Sequence, residues 1–596
     1  MRPIFDIRIV RSPDAPYYED ELLAGQDYYP DPYLAAVHDK GFNGIWLHAL
    51  LRDLVRTDVF PDMDEAATRR RRQDKLKRLI ERAARRHVGV YLYLCEPRGF
   101  RCDHAFFQRH PETRGTLGVS PMDDWMISPT QPPGEYGALC TSVPAVREFL
   151  EEAAGRLFTE CRGLAGAFLI TASEHLTHCR SHEGWGTSAP CPRCCPARDA
   201  AEVVAEVINL IHRGARRADP ASRIIAWNWA WNQFRDPQTQ AAIIERADRD
   251  VIIMADWERI GRKRVGRRTV KVDEYSLSYL GPSPTFRKVL AEARRHGHRV
   301  MAKLQLANTH EIVTVPHIPV PFNVGAKMKR MAAHGVDGYL GCWIFGGNLG
   351  LMTEVAGRMS FAPQPRPSAL LRQLAVRDFG PAAAPHVLRA WRQFSRAWGL
   401  YPFCIPFLYF GPVNYAVAYP LTRPRPADQG GSPSWIALPR DAEGRLCPGG
   451  RTKNWAGPFT PGELAAALKR LARAWSAGLA ELRSAQTIAP ANEALAREAG
   501  IAEIILLNLE AAANLIRYER LATPGQPPRR LNPALRALLG DERRLTARAL
   551  ELVRNDPRLG FHSEAHCHLY TPADLEAKLR DLDALLGPAG RRHRRP

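Results

Sequence analysis

Gly166-Ala167-Phe168-Leu169-Ile170-Thr171-Ala172-Ser173-Glu174-His175 is a short apolar run followed by a carboxylate and an imidazole. Phe, Leu, Ile and Thr suit extended backbone, and a run this short, bounded by polar residues, reads as a strand covered on both faces. Such strands belong to parallel sheets flanked by helices. The stretches on either side, 143–157 and 199–216, repeat apolar residues at helical spacing, so the local unit is helix, strand, helix.

The same alternation recurs outward from this stretch. Runs rich in β-branched and aromatic residues lie at 5–10, 44–48, 88–95, 166–172, 223–229, 251–256, 299–305 and 338–344. Amphipathic stretches lie among them at 31–40, 73–86, 143–157, 199–216, 286–295 and 324–334. Turns such as Lys40-Gly41-Phe42 and His334-Gly335-Val336 end helices and feed the next strand, as a C-cap leading into a parallel strand does. Eight consecutive βα units close a (β/α)8 TIM barrel, an α/β fold. The competing architecture, an open doubly wound sheet, carries a glycine-rich phosphate turn after its first strand. Ile9-Val10-Arg11-Ser12-Pro13 stands there instead. The longest connections, 96–142, 173–198 and 257–282, follow strands three, four and six and so fall on the catalytic face.

A chain of 596 residues exceeds what one core normally serves. Past residue 359 the strand signals fade, and Phe361-Ala362-Pro363-Gln364-Pro365-Arg366-Pro367 reads as a linker into helical patterns at 385–397, 461–483 and 494–517. We expect a catalytic barrel over 1–360 and a mainly α-helical C-terminal domain over 361–596, with an aromatic loop segment at 398–420.

Hydrophobic residues make up 45% and charged residues 24% of the chain, which excludes wholesale disorder. Lys+Arg 83 against Asp+Glu 63 leaves +20, with arginines clustered at 69–72 and 591–595. The first cluster opens an amphipathic helix and no nucleic-acid motif accompanies it, so a solvated helix face is the better reading and no nucleic-acid partner is expected. Neither an apolar leader after Met1-Arg2-Pro3 nor an uninterrupted apolar run of membrane-spanning length is visible. A cytoplasmic location without a membrane partner is therefore expected. Oligomeric state is left open.

In a barrel the reacting groups hang from the C-terminal ends of the strands. Glu174 follows an apolar strand, and partial desolvation there raises a carboxyl toward the range of a general acid for a glycosidic oxygen. A capping or ion-pairing role in the loop is the alternative. Glycoside cleavage passes through an oxocarbenium-like state that needs a second anion. Asp256 and Glu258 at the end of strand six and Glu311 after strand seven are the candidates. Sugar contacts are expected from His48, Glu96, His175, Trp229, Trp231, Asn232, Asn308 and Trp343, because indole faces pack against pyranose C–H groups and amides and imidazoles read hydroxyls. Trp227, Trp229 and Trp231 alternate at period two, so Trp227 is read as barrel packing.

The barrel, Glu174 ending strand four, the cysteine-bearing loop behind it, the tryptophan-rich fifth strand and Gly341-Cys342-Trp343-Ile344-Phe345-Gly346 together resemble bacterial glycoside hydrolases related to the family 20 β-hexosaminidases, over about residues 1–360. Tyr409-Phe410-Gly411-Pro412 is similar to the helical C-terminal region of such enzymes, which implies that Tyr409 reaches the active-site rim. The resemblance implies an adjacent Asp-Glu pair ending strand four, the Asp orienting the substrate's acetamido group. Ser173 occupies the Asp position here, so a two-carboxylate mechanism stays open beside the substrate-assisted one. The second function class is a carbohydrate-binding barrel without catalysis.

Cys179, Cys191, Cys194 and Cys195 offer thiolates, and Cys191-Pro192-Arg193-Cys194 has a spacing common in structural zinc sites. We expect no cofactor in catalysis, and the loop is read either as a structural zinc site or as a reduced cluster without metal. A metal-dependent barrel hydrolase wants His-x-His ending strand one, where Asp6-Ile7-Arg8-Ile9-Val10 has no histidine. Gly346-Gly347-Asn348-Leu349-Gly350 reads as a tight turn before a helix rather than a phosphate cradle.

Overall fold

Eight parallel strands close on themselves in the computed structural model, which describes residues 2–17, 19–63, 65–119, 134–172, 175–183, 187–422, 432–522, 528 and 530–587. They are β1 (Ile7–Val10), β2 (Gly44–Ala49), β3 (Gly89–Leu94), β4 (Gly166–Ile170), β5 (Arg223–Trp227), β6 (Ile252–Asp256), β7 (Val300–Lys303) and β8 (Gly338–Leu340). Each pairs in parallel with its neighbours in chain order, and β8 pairs with β1, Gly338 opposite Ile7. All eight predicted strands are present. The fold is a (β/α)8 TIM barrel.

The outer ring is α1 (Asp31–Asp39), α2 (Ala66–Ala84), α3 (Pro144–Glu160), α4 (Ala200–Ala218), α5 (Thr239–Arg246), α6 (Pro284–Arg295), α7 (Pro321–Ala333) and α8 (Leu351–Arg358). Asp199 and Ser283 cap α4 and α6 by accepting from the backbone N–H of Glu202 and Phe286 at 2.7 and 3.0 Å. Aromatic rings fill the barrel. Trp46 of β2 meets Phe168 of β4 edge-on at 5.3 Å, and Tyr93 of β3 stacks on Phe168 at 5.4 Å. The turn after β8 passes so close to β1 that a Cβ on Gly347 would lie 1.7 Å from the carbonyl oxygen of Arg11. That turn is close packing of backbone, in keeping with the tight-turn reading.

The long connections carry structure of their own. A three-stranded antiparallel sheet (Phe100–Arg101, Arg114–Val119, Glu135–Leu139) follows β3, and a hairpin (Gly261–Val265 with Arg268–Val272) follows β6. Beyond the barrel the chain forms α9 (Pro367–Trp398, kinked at Gly380), α10 (Pro461–Ile488), α11 (Glu493–Leu521), α12 (Pro533–Asn555) and α13 (Pro572–Leu586). Helix α11 is long and apolar enough to cross a bilayer, but 78% of its most apolar stretch is buried inside the protein, so that surface is used for packing between helices. The 398–420 segment pins the helices to the barrel. Trp398 Nε1 donates to Glu311 at 2.7 Å, and Asn414 Oδ1 accepts from the Val313 backbone N–H at 2.8 Å.

Candidate functional site

At the C-terminal ends of the strands the barrel mouth has an aromatic floor. Trp343, just past β8, stacks on Trp46 at 4.8 Å, meets Trp227 of β5 edge-on at 4.9 Å and approaches Tyr93 at 5.2 Å. Tyr17, from the loop after β1, stands 5.8 Å away. Trp343 keeps only 7% exposure, so it floors the mouth instead of projecting into it.

On the β2–β4 side two imidazoles stand beside a buried guanidinium. His48 lies 5.1 Å from the Tyr93 ring and 3.5 Å from the Arg98 guanidinium. Burial first, then the charges of Arg98 and Arg11, hold its pKa well below the usual histidine range. Burial, Arg98 and His48 do the same to His175. Neutral imidazoles both donate and accept, which suits the reading of hydroxyls.

The ends of β5, β6 and β7 carry charge instead. Asp256, the last residue of β6, accepts from Trp227 Nε1 at 3.1 Å and lies 2.9 Å from Arg259 Nε. Glu274, where the hairpin returns to the barrel, accepts from Trp229 Nε1 at 3.0 Å, Arg259 at 2.5 Å and Lys303 Nζ at 3.0 Å. Lys303 ends β7 and is fully buried, its ammonium 3.8 Å from the Tyr275 ring centre. Burial opposes the Glu274 charge, but Arg259 and Lys303 outweigh it and bring the pKa down to about 2. Asp256 moves the other way, because burial and then the Glu274 charge hold it well above the carboxylate range. One pair of carboxyls thus presents a proton and a negative charge side by side.

The roof comes from the helical half. Tyr409 Oη donates to Asp273 at 3.0 Å. Glu564 lies 3.3 Å from His310 Nε2 and 3.9 Å from His562 Nε2. Burial, with Glu274 adding and Lys303 opposing, lifts Glu564 to about 8. Burial brings His310 down to about 3 and His562 well below its usual range. His310, His562 and Glu564 converge closely enough to hold a cation.

Ser173 and Glu174 lie outside the described residues; Ala172 before them and His175 after them are buried. The other expected residues divide. Asp256, His48, His175, Trp229, Trp343 and Tyr409 surround the mouth as just described. Glu258, Glu311, Glu96, Asn308 and Trp231 are tied into the scaffold. Glu258 is fully buried against Lys327 Nζ, and burial, with Lys327 opposing, raises it to about 7. Glu311 accepts from Ser276 Oγ at 2.7 Å, Leu277 N at 2.9 Å and Trp398 Nε1 at 2.7 Å, which joins the β6 loop, the β7 loop and α9. Glu96 accepts from the Leu51 and Arg98 backbone N–H groups at 2.6 and 3.1 Å. Asn308 donates to the carbonyls of Val313 and Val315, and Trp231 Nε1 donates to Thr171 Oγ1 at 3.0 Å. Asn232 is exposed.

Sequence reasoning missed Arg259, Glu274, Lys303 and Glu564. Lys303 was findable, because it is the one charged residue in the apolar run Val300-Met301-Ala302-Lys303-Leu304 and ends a strand at the mouth. Glu564 carries no local signal. The expected metal set needs one correction. The four cysteines that converge are Cys140, Cys179, Cys191 and Cys194, not Cys195. Cys195 Sγ turns toward Thr116 Oγ1 at 3.5 Å, and the fourth sulfur comes from the chain leaving the inserted sheet.

No family model and no curated protein matches the chain. Among solved structures it is similar to a family 138 glycoside hydrolase targeting pectin rhamnogalacturonan II, with 9% identity, 98% of this chain and 84% of that chain covered, and a TM-score of 0.50. It is also similar to a family 89 glycoside hydrolase from Clostridium perfringens in complex with PUGNAc, at 10% identity and a TM-score of 0.48, with 98% of this chain and 64% of that chain covered. Glycoside hydrolases of families 84, 20 and 5 match with lower scores, so family 20 is not singled out. At such identity the first likeness shows the fold, a barrel together with the region that follows it.

Proposed function

We propose that the protein is a glycoside hydrolase acting on an oligosaccharide or glycoconjugate, with Glu174 as the general acid and the Asp256–Glu274 pair as the second carboxyl centre. The observation that carries this reading is a pair of buried carboxyls, Asp256 and Glu274, gathered around Arg259 and Lys303 at the mouth of an aromatic-floored barrel. Glu174 donates its proton to the leaving glycosidic oxygen as the C–O bond breaks. Positive charge then grows on the anomeric carbon and ring oxygen, and the Glu274 carboxylate, paired with Arg259 and Lys303, supplies the ionised oxygen of the pair. His48 and His175, neutral at working pH, read hydroxyls from the far side.

The finer reading, a β-N-acetylhexosaminidase, draws on the resemblance to family 20. Ser173 in place of the orienting Asp and a carboxyl pair formed by the end of β6 and the return of the hairpin after it favour two protein carboxylates over substrate assistance. Stereochemistry follows from the Glu174–Glu274 separation, about 5–5.5 Å giving retention and about 6.5–9.5 Å inversion.

The test is hydrolysis of aryl glycosides and plant and animal oligosaccharides by the wild type, Glu174→Gln and Glu274→Gln. Each variant is expected to lose roughly 10²–10⁴ of turnover while still binding sugar. A wild type that binds sugar and cleaves nothing is a carbohydrate-binding barrel and ends this reading.

A further inference from the structure

We propose that Cys140, Cys179, Cys191 and Cys194 form a structural zinc site that clamps the sheet inserted after β3 to the loop following β4. The four Sγ atoms are buried and lie within 4.8 Å of one another. Cys140 and Cys191 are 3.6 Å apart, sulfur to sulfur. A tetrahedron with metal–sulfur bonds of about 2.3 Å has sulfur–sulfur edges of about 3.8 Å, whereas a disulfide needs about 2.05 Å. The arrangement is that of a four-thiolate cage.

The surroundings fit such a cage. The backbone N–H of Ser142 points at Cys140 Sγ and that of Cys194 at Cys191 Sγ, the bonds that stabilise thiolate ligands. Four thiolates around a dication leave a net charge of −2, and the Arg193 guanidinium sits beside Cys140 to offset part of it. Thr116 braces two ligand loops at once. Its Oγ1 donates to the Cys179 carbonyl at 2.9 Å and accepts from the Cys191 backbone N–H at 3.1 Å. Gly115 leaves the space that a sulfur fills, since a Cβ there would lie 2.2 Å from Cys179 Sγ.

The ligands come from two barrel connections that share a small apolar cluster, with Tyr136, Ala138 and Leu176 around the sulfurs, and a few hydrogen bonds such as Leu117 N to the Ala189 carbonyl. A metal crosslink there replaces core that the inserted sheet is too small to build. It fixes the chain close behind Glu174, although the proposal stands apart from the hydrolase reading. Zinc entry displaces the thiol protons to solvent and involves no redox change.

The experiment is metal analysis of the full-length protein, expressed with zinc in the medium and purified under reducing, chelator-free conditions. The wild type and Cys195→Ser are expected to hold one zinc per chain, and Cys140→Ser to lose it. Should Cys140→Ser fail to fold, the wild type decides alone. Cobalt(II) in place of zinc should then give the visible bands of tetrahedral thiolate coordination, and a thiol-blocking mercurial should release the metal. Wild-type protein that takes up neither zinc nor cobalt, or that carries iron, overturns the proposal. So does loss of zinc in Cys195→Ser equal to that in Cys140→Ser. Finding eight free thiols instead of all twelve in denatured, chelated protein also overturns it, because the four sulfurs are then two disulfides.

Discussion

Glu274→Gln keeps the shape of the side chain and the bond from Trp229 but removes the charge that Arg259 faces at 2.5 Å and Lys303 at 3.0 Å. The drop of the Glu274 pKa from 4.5 to about 2 corresponds to about 3 kcal/mol at about 1.4 kcal/mol per unit. Removing one member of a buried ion pair costs about 3–5 kcal/mol, so two routes agree on the size. Because folding lowers this pKa, the contribution is complete above pH 4.5 and is lost as pH falls toward 2. Urea unfolding of both proteins, followed by tryptophan fluorescence over a pH series, reads the effect. The variant should be about 3 kcal/mol less stable at neutral pH, and the gap should close in acid. Adding Lys303→Met, which removes the stranded cation, should recover part of the loss. A variant as stable as the wild type at neutral pH, or a gap that stays constant below pH 4.5, refutes the claim that Glu274 is the ionised member of the pair.

Glu564→Gln tests the roof. The Glu564 pKa is raised from 4.5 to about 8, so this group's stability is full below pH 4.5 and is lost as pH rises through 8. The Gln variant should match the wild type in mild acid and outlast it by up to about 5 kcal/mol in base, measured by the same unfolding series. Trp343→Ala removes the ring that stacks on Trp46 and meets Trp227 edge-on. It should cost about 3–5 kcal/mol in unfolding and weaken sugar binding, as calorimetry reads it.

The barrel was legible because each of its parts is local. A strand buried on both faces, such as 166–170, announces itself by composition, and helices such as α4 by their apolar stripe. The termini of the helical half were harder. α12 and α13 carry many charges, which blur their apolar stripe. The site was half legible. Asp256, His48 and Trp343 end or follow strands, so strand counting reaches them. Glu274 and Glu564 reach the mouth through a hairpin return and a turn almost 300 positions further on, and only tertiary packing relates them to Asp256. Glu311 shows the converse. It stands where a second carboxylate was expected, yet its oxygens are taken by Ser276, Leu277 and Trp398. The cysteines repeat the point, since Cys195 is near Cys194 in sequence while Cys140 is near it in space.

The central claim is that Glu174 protonates the leaving oxygen, and acid assistance matters only where the leaving group needs a proton. The direct measurement is turnover by Glu174→Gln on a dinitrophenyl glycoside and on the matching alkyl glycoside or oligosaccharide. The account predicts a small loss on the first and a loss of at least about 10² on the second. Equal losses on both, or no loss on either, would contradict it.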